Sequence, residues 1–397
     1  MNLLFTATTY PPAVGGAQLL MHQLARQLGE RHSVVVLTHW ATRRTDWLLG
    51  TTLRAPRDET AYVVDGVQVR TVNVPPRGRW RLAPWVGAYW ALPGPAGRRI
   101  AEAMAGPLET AAGHPDLVHN VRIGREGLTL ASLALARKRR VPFVLTPVHH
   151  PRWGTWLHRE YHRLYRSADA VIALTEAERR TLVQLGVDEG RVHVTGMGPV
   201  LAEEGRGDRF RDRHGLGEDP VVLFLAQKYA YKGAALLLRA AREVWARHPR
   251  ARFAFVGPRT AHSRRLFHGL VEPRVLELDA VDLAEKTDAL AACDVLCLPS
   301  TQESFGGVFT EAWSFGKPVV GCDIPAVRAV IDDGEDGLLC PPEPGAIAGA
   351  LDALLSDPAR RDALGARGRA KVSRLYTWPR LAERTEAAYR AAREGGR

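Results

Sequence analysis

Short apolar runs alternate along the chain with longer stretches whose apolar residues recur at helical spacing. Leu3 to Thr6 is the first run, Gln18 to Gly29 is an amphipathic helical stretch, and Val34 to Leu37 is the next run. Runs that are apolar throughout are typical of strands buried on both faces, as in parallel sheets. An Asp-Gly pair within Tyr62 to Val69 adds a predicted hairpin. The order of strand, helix and strand therefore predicts a doubly wound α/β domain at the N-terminus.

The same pattern begins again in the second half of the chain. Val221 to Ala226 is an apolar run, Gln227 to Gly233 is a polar loop, and a helical stretch starts at Ala234. Between the two patterns, Gly196 to Pro220 is rich in glycine, proline and alternating charge, which is typical of an interdomain linker. We therefore predict two Rossmann-like domains of the α/β class. Their predicted boundaries are residues 1–198 and 199–375, followed by a tail at 376–397.

A further stretch, Asp294 to Gly321, repeats the order of strand, loop, helix and strand and adds two carboxylates. Glu303 precedes the helix, Glu311 lies inside it, and Gly306-Gly307 lies between them. Glycine lets a ligand approach the backbone, and the free N–H groups of a helix start suit a phosphate. Carboxylates repel a diphosphate but accept hydrogen bonds from hydroxyls, so the arrangement predicts a sugar-nucleotide site. The alternative is a pair of solvated glutamates beside a helix start.

Composition places the chain among ordinary globular proteins and narrows its partners. Of 397 residues, 46% are hydrophobic and 24% are charged, and every apolar run is shorter than the roughly 18 residues of a membrane span. The net charge of +11 is mostly arginine, which suits an anionic membrane surface or an acidic substrate, although a GC-rich genome is the simplest explanation. Nucleic acid is not expected, because no motif of a known nucleic-acid module is present. The N-terminus lacks the basic and apolar regions of a signal peptide, so we expect a cytoplasmic location, extending to the inner face of the membrane.

Two groups of residues resemble metal ligands without the right spacing. The four cysteines lie in the C-terminal half and no nearby histidine completes a zinc-binding set, so we predict reduced core thiols. They are Cys293, Cys297, Cys322 and Cys340. The acidic run from Asp332 to Gly337 is predicted to be a solvated turn.

The segment from Arg77 to Arg99 mixes aromatic and basic residues. Trp80, Trp85, Tyr89 and Trp90 lie among its arginines. Such a mixture suits a membrane interface or an acceptor cleft. A lid over the core of the first domain is an equally good interpretation.

The stretch with the two glutamates resembles the donor-binding segment of retaining glycosyltransferases of the GT-B fold, family GT4. The family pattern of Glu, seven residues, Glu, Ala and a Gly-Lys-Pro-Val strand matches in place. The matching residues are Glu303, Glu311, Ala312, Gly316, Lys317, Pro318 and Val319. The resemblance covers nearly the whole chain and implies the GT-B fold, in which two Rossmann-like domains face a central cleft. It also implies that the first domain binds the acceptor, the second binds the donor, and the tail at 376–397 packs back on the first domain.

The resemblance implies a hexosyltransferase of class EC 2.4, which moves a sugar from a nucleoside-diphosphate sugar to an acceptor hydroxyl with retention. The acceptor class stays open between a glycan, a lipid and a natural product. A UDP- or GDP-sugar is the expected co-substrate, and no other cofactor and no metal is expected, because no Asp-x-Asp motif is present. The expected partners are the donor, the acceptor and an anionic membrane in peripheral contact. A GT-B epimerase or hydrolase and a non-catalytic sugar-nucleotide-binding protein remain as alternatives.

The resemblance also implies roles for single residues. Lys232 would clamp the diphosphate together with the N–H groups from Phe305 to Val308, Glu303 would hold sugar hydroxyls, and Glu311 would hold the ribose. A catalytic histidine near the donor sugar matches either His149 or His150, and His150 is preferred. The full donor-binding set is Gly15, Gly16, Gln227, Lys228, Lys232, Gly257, Pro258, Val281, Glu303, Ser304, Phe305, Gly306, Gly307, Val308 and Glu311.

The sequence departs from the family pattern at two positions. Gln18 stands where the family usually has Glu, and Gln227 stands where it usually has a diphosphate-clamping Arg. Lys228 is the expected replacement for that charge, although an ammonium is a point charge without the fork of a guanidinium.

Overall fold

Parallel strands build a sheet in each half of the chain. The computed structural model describes residues 1–13, 15–41, 48–57, 59–121, 126–150, 153–155 and 158–395. The chain divides into two units, which are Met1–Gly196 together with Trp378–Arg397, and Met197–Thr377. Each unit has its own sheet.

The first unit is built on a sheet in which strand β1 is central. Its strands are β1 (Asn2–Thr9), β2 (Ser33–Trp40), β3 (Ala61–Val64), β4 (Val67–Thr71), β5 (Leu117–Val121), β6 (Phe143–Thr146), β7 (Ala170–Ala173) and β8 (Val192–Val194). Within the described residues their order is β3-β4-β2-β1-β5-β6-β7-β8, and the pairs are parallel except for antiparallel β3 and β4. The register pairs Leu3 with Val34 on one side and with Leu117 on the other. Strand β1 is therefore buried from Leu3 to Thr9.

The second unit is built on a sheet whose described strand pairs are all parallel. Its strands are β9 (Val221–Leu225), β10 (Arg252–Val256), β11 (Val275–Leu278), β12 (Val295–Leu298), β13 (Val319–Cys322) and β14 (Gly337–Cys340). Their order is β11-β10-β9-β12-β13-β14, so β9 and β12 are neighbours in the centre. Because the strands run in the same direction, the loops that follow β9, β10, β11 and β12 leave the sheet at one edge.

Helices connect the strands and cover both sheets. They are α1 (Gly16–Gly29), α2 (Leu48–Thr51), α3 (Ala83–Ala88), α4 (Pro93–Ala112), α5 (Glu126–Arg139), α6 (Arg159–Ser167), α7 (Glu176–Gln184), α8 (Gly207–Arg213), α9 (Ala234–Arg247), α10 (Ala261–Leu266), α11 (Leu283–Ala292), α12 (Gly307–Ser314), α13 (Pro325–Arg328), α14 (Pro344–Leu355), α15 (Pro358–Leu375) and α16 (Trp378–Glu394). Side-chain caps begin several of them: Thr175 accepts from the N–H of Glu178 in α7, and Asp282 accepts from Glu285 in α11. Among the described helices, none has both the length and the apolar character that a membrane crossing needs.

The C-terminal helix α16 belongs to the first unit. The hydroxyl of Tyr389 lies 2.7 Å from Nδ1 of His119 on β5, and Nε2 of that ring lies 2.8 Å from Oγ1 of Thr146. These three side chains are buried. Burial lowers the pKa of His119 to about 3, because a charged imidazolium would lose its hydration there.

The segment predicted to be an interdomain linker, Gly196 to Pro220, contains helix α8, so the prediction is wrong over that part. Arg209 donates to both carboxylate oxygens of Asp288 on α11 at 2.5 and 2.9 Å. Arg211 lies 3.0 Å from Asp294, just before β12. Two of the alternating charges, Arg209 and Arg211, therefore form ion pairs that hold α8 against the rest of the second unit.

The residues that resembled metal ligands have structural surroundings. All four cysteines are buried and outside disulfides, which confirms the prediction of core thiols. Asp336 is buried and lies 2.6 Å from Nζ of Lys371 on α15, which also lies 2.9 Å from Asp332. The prediction of a solvated turn is therefore wrong for Asp336, because a lysine pairs with its carboxylate.

Candidate active site

The predicted donor-binding residues of the second unit gather at one edge of its sheet. Gln227, Lys228 and Lys232 follow β9, Gly257 and Pro258 follow β10, Val281 follows β11, and residues 303–308 follow β12. These four strands are adjacent in the sheet and parallel, so their following loops meet. Ligands of doubly wound sheets bind at this edge.

The turn before α12 has a backbone that requires glycine. Gly306 caps the helix in the left-handed conformation with φ 85°, and a Cβ there would lie 2.5 Å from the ring of Phe309. A Cβ on Gly307 would lie 3.0 Å from the sulfur of Met197. Within the described chain, no side chain caps this helix start, which leaves its first N–H groups available to a ligand. Ser304 and Val308 flank the turn and are partly exposed, whereas Phe305 is buried against Tyr376.

Glu303 is held by a lysine from the neighbouring loop. Its Oε1 accepts hydrogen bonds from Nζ of Lys232 at 2.5 Å and from Oγ of Ser300 at 2.8 Å. The carboxylate is 9% exposed, so its orientation is fixed. The loop that carries Lys232 packs closely against the loop after β12. A Cβ on Gly233 would lie only 2.1 Å from the carbonyl oxygen of Pro299. Only glycine fits there, which explains the Lys-Gly pair in physical terms.

Glu311 is held by a different lysine, Lys286 on α11. Its Oε1 accepts from Nζ of Lys286 at 2.7 Å and from the N–H of Val200 at 3.4 Å. Its Oε2 is buried and has no donor in the part of the chain that the structure describes. An unsatisfied carboxylate oxygen on a side chain that is only 4% exposed is costly unless a ligand supplies a donor.

Lys286 was missed in the sequence. Its ammonium also donates to the carbonyl of Val200 at 2.7 Å, so it fixes both the glutamate and the chain segment beside it. The rarity of lysine in this chain could have drawn attention to it. The chain has six lysines among 54 basic residues, and three of the six, Lys228, Lys232 and Lys286, lie at this edge of the second sheet.

The expectation that Lys228 supplies a diphosphate-binding charge is wrong. Its side chain is fully buried, and its ammonium donates to the carbonyls of Gly257 at 2.6 Å and Leu278, and to Glu277 at 2.5 Å. All three N–H donors are used. Burial lowers the pKa of Lys228, and the hydrogen bond with Glu277 opposes that shift. Lys228 therefore joins the ends of three strands, β9, β10 and β11, and orients the loop with Pro258.

Other predicted residues lie in the same group of loops. Gln227 begins the loop after β9 and is partly exposed, as are Pro258 after β10 and Val281 before α11. Gly257 has φ 132°, and a Cβ on it would lie 2.2 Å from the carbonyl oxygen of Ala226. The ends of β9 and β10 can therefore approach this closely only with glycine at that position.

Gly15 and Gly16 begin helix α1 in the first unit. Gly15 is extended, and space is open around Gly16, so packing within the described chain does not explain the glycine at position 16. Gln18, which replaces the family's Glu, is 4% exposed and donates from Nε2 to Oγ1 of Thr9 at 2.5 Å. Its Oε1 is buried without a donor among the described residues.

A chain of contacts from the buried Tyr10 and His22 to the exposed Asp65 was also missed. The hydroxyl of Tyr10 lies 2.8 Å from Nδ1 of His22, and Nε2 of that ring lies 2.8 Å from Oδ2 of Asp65 in the β3–β4 turn. Tyr62 donates to the carbonyl of Pro11 at 3.1 Å. The hairpin therefore supports the loop that leads to Gly15.

The two candidate histidines have different surroundings. His149 is 5% exposed, its N–H donates to Glu178 at 2.5 Å, and its Nδ1 lies 3.1 Å from the hydroxyl of Tyr165. Burial lowers the pKa of His149 to about 4 and raises that of Glu178 to about 7. His150 is partly exposed beside the ring of Trp153. Val148, with φ 50°, is strained ahead of both, as β-branched residues rarely adopt that conformation.

Comparison with known proteins assigns the chain to a family. The profile described as Glycosyl transferase 4-like domain matches residues 15–198, and that described as Glycosyl transferases group 1 matches residues 219–357. D-inositol 3-phosphate glycosyltransferase of Nocardioides sp. is 30% identical over 367 residues, which are 83% of this chain and 77% of the relative. The chain belongs to glycosyltransferase family GT4.

Other relatives of this GT4 protein match a shorter part of it. D-inositol 3-phosphate glycosyltransferase of Kineococcus radiotolerans is 37% identical over 257 residues, which span 58% of this chain and 59% of the relative. Among solved structures, HepE of Anabaena in complex with UDP and glucose has a TM-score of 0.73 and 19% identity, covering 98% of both chains. Sucrose-phosphate synthase of Thermosynechococcus elongatus has a TM-score of 0.73 and 20% identity, also over 98% of both chains. These likenesses confirm the predicted GT-B fold class.

Proposed function

We propose that this GT4 protein transfers a sugar from a nucleoside-diphosphate sugar to an acceptor hydroxyl, with retention at the anomeric carbon and without a metal. One observation carries the proposal. Glu303 and Glu311, on either side of the glycine turn, are each buried and held by a lysine from a neighbouring element. A diphosphate at the start of α12 would have one fixed carboxylate on each flank to accept hydroxyl hydrogen bonds.

The donor is oriented by these groups. The unsatisfied Oε2 of Glu311 would accept from a ribose hydroxyl, and Glu303 would accept from the sugar. Lys232 and the N–H groups from Phe305 to Val308 would stabilise the charge on the departing diphosphate. Preorganised charge of this kind is usually the largest contribution to catalysis.

Retention is best explained by attack on the face that the diphosphate leaves. Glu303 is a poor nucleophile, because the ammonium of Lys232 and the hydroxyl of Ser300 both bind its Oε1 and stabilise the negative charge of the carboxylate. The bond from the anomeric carbon to the phosphate oxygen would break as the acceptor oxygen bonds to that carbon. The departing phosphate would take the acceptor's proton. The partly exposed His150, or His149 behind it, would orient the sugar.

The donor is proposed to be a UDP-sugar. HepE, which has the same fold, is described in complex with UDP and with UDP-glucose. The acceptor hydroxyl is proposed to belong to a glycan, a lipid or a natural product, and the net charge of +11 suits an acidic one.

The test is a turnover assay of the purified chain. UDP-glucose, UDP-galactose, UDP-N-acetylglucosamine and GDP-mannose are each incubated with and without a pool of hydroxyl acceptors, in the presence of EDTA. We expect one donor to release its diphosphate only when acceptor is present, and we expect NMR to show an α-linked product from an α-linked donor. Release that does not depend on acceptor would indicate a hydrolase or epimerase. Binding without any release would indicate a non-catalytic protein.

A further inference from the structure

An outer surface of the first unit carries exposed tryptophans and arginines. We call it the aromatic-basic patch and define it by Arg77, Trp80, Arg81, Trp90 and Leu92. The side chains of Trp80, Trp90 and Leu92 are 70%, 56% and 50% exposed. Large apolar side chains exposed together mark an interaction surface more often than single exposed ones do.

The patch belongs to a segment that is anchored in the core. Arg79, in the 3-10 turn Pro76–Leu82, is buried and donates to the carbonyls of Val74 at 2.9 Å, Ala55 at 2.5 Å and Pro56 at 2.5 Å. Leu82, Val86 and Tyr89 point the other way and pack in the hydrophobic core of the first unit. The tryptophans are therefore exposed by an ordered backbone.

The segment contains few types of side chain. Between Asn73 and Glu102 every side chain is apolar, aromatic or arginine, and the sequence there holds no carboxylate, amide, hydroxyl of Ser or Thr, or lysine. The guanidinium of Arg81 lies 5.3 Å from the ring centroid of Trp80, and that of Arg99 lies 5.7 Å from Trp85. An aromatic ring with an arginine on its face places an apolar body beside a cation that reaches outward.

We propose that the aromatic-basic patch binds the headgroup region of a membrane that contains anionic lipid. Tryptophan prefers the boundary between hydrocarbon and headgroups, and arginine is attracted to anionic headgroups without needing a specific geometry. The exposed side chains of this segment offer arginine donors and no acceptor, which matches the anionic oxygens of lipid headgroups better than the mixed donors and acceptors of a protein surface. Apart from Arg81, the exposed residues between the two tryptophans are Ala83, Pro84 and Gly87, which are small or apolar and would not hold the rings away from a membrane surface.

Sedimentation with vesicles tests the proposal without any nucleotide sugar, so its outcome is independent of sugar transfer. The full chain is mixed with vesicles of phosphatidylcholine, or of equal parts phosphatidylcholine and phosphatidylglycerol, at low and high salt. We expect binding to the anionic vesicles that falls with salt, and little binding to the neutral ones. Absence of binding to the anionic vesicles at low salt would overturn the proposal.

Variants locate the binding surface. Arg77→Gln with Arg81→Gln should weaken vesicle binding by roughly five-fold for each arginine, which corresponds to about 1 kcal/mol for a basic residue near an anionic surface. Trp80→Ala with Trp90→Ala should weaken the vesicle binding that remains at high salt, where insertion of the rings dominates. The control, Arg264→Gln with Arg265→Gln, removes two exposed arginines from α10 of the second unit. Equal loss in the control would overturn the proposal, as would patch variants that bind vesicles like the unmodified chain. Unchanged thermal unfolding of each variant shows that it is folded.

Discussion

Nζ of Lys232 and Oε1 of Glu303 lie 2.5 Å apart, although the two residues are 71 positions apart in the sequence. The contact joins the loops after β9 and β12. It means that one of the two glutamates of the proposed site has a fixed charge partner before any ligand arrives.

Lys232→Ala is expected to lower turnover by roughly a hundred-fold or more, because it removes a charge that would stabilise the departing diphosphate. Glu303→Gln should lower turnover as well, since an amide would hold the sugar less strongly. The measurement is kcat and KM for the donor in each variant and in the double variant. The double variant should lose less than the product of the two single losses, because the side chains act as a pair. Lys138→Ala, an exposed lysine paired with Glu109, is the control and should keep full activity. Independent, multiplying losses would contradict the pairing.

Glu311→Gln is expected to raise the dissociation constant for the nucleoside diphosphate by about ten-fold or more, because its buried Oε2 would no longer be a charged acceptor. Lys286→Ala should have a similar effect on affinity, since it releases the carboxylate. It should also lower the free energy of unfolding by roughly 1–3 kcal/mol, as it leaves buried acceptors unpaired. Calorimetric titration and urea unfolding measure the two effects. Unchanged affinity in Glu311→Gln would remove this glutamate from the site.

Lys228→Met is expected to lower the free energy of unfolding. The substitution leaves the carbonyls of Gly257 and Leu278 and the carboxylate of Glu277 without their shared donor. Loss of one partner of a buried ion pair typically costs about 3–5 kcal/mol. Urea unfolding should show this loss, whereas Lys138→Met should change it little. A variant that keeps its stability but loses diphosphate affinity would restore the direct role that the structure argues against.

Acidification is expected to destabilise the first unit through His119. Its pKa is lowered to about 3 when folded, from an ordinary value of 6.5, so the unfolded chain binds the proton first. The stability is fully present above pH 6.5 and is lost as the pH falls toward 3, by up to roughly 1.4 kcal/mol per pH unit for one such group. His119→Gln should show a shallower loss between pH 6.5 and 5 in urea unfolding. An equally steep loss in the variant would show that His119 does not cause it.

Much of the fold follows from local patterns. Apolar runs such as Val221 to Leu225 are strands because their residues suit burial on both faces. The Asp-Gly pair at residues 65–66 makes the predicted hairpin turn, with φ 45° and 80°, because both residues tolerate positive φ. The glycine turn at Gly306 was predictable for the same reason.

The partners of charged side chains were not predictable in this way. Lys228 and Lys232 follow the same strand. The positions of β10 and β11 decide that the first is buried, and the position of β12 decides that the second reaches Glu303. Lys286 is 25 positions from Glu311, on a different helix, and has no local pattern that would pair them. The ion pairs of α8 were mistaken for the charges of a solvated linker, because sequence alternation does not reveal what a charge faces.

The central claim is that the edge of the second sheet binds a nucleoside diphosphate, and thermal unfolding of the chain with UDP, GDP, ADP and CMP tests it most directly. At about 100 times its dissociation constant, a ligand that binds only the folded state adds roughly 2.7 kcal/mol of stability. We predict a clear rise in unfolding temperature with UDP, a smaller one in Lys232→Ala and Glu311→Gln, and an undiminished one in the exposed control Glu343→Gln. No rise with any of the four nucleotides, or a rise that Lys232→Ala and Glu311→Gln leave unchanged, would contradict the account.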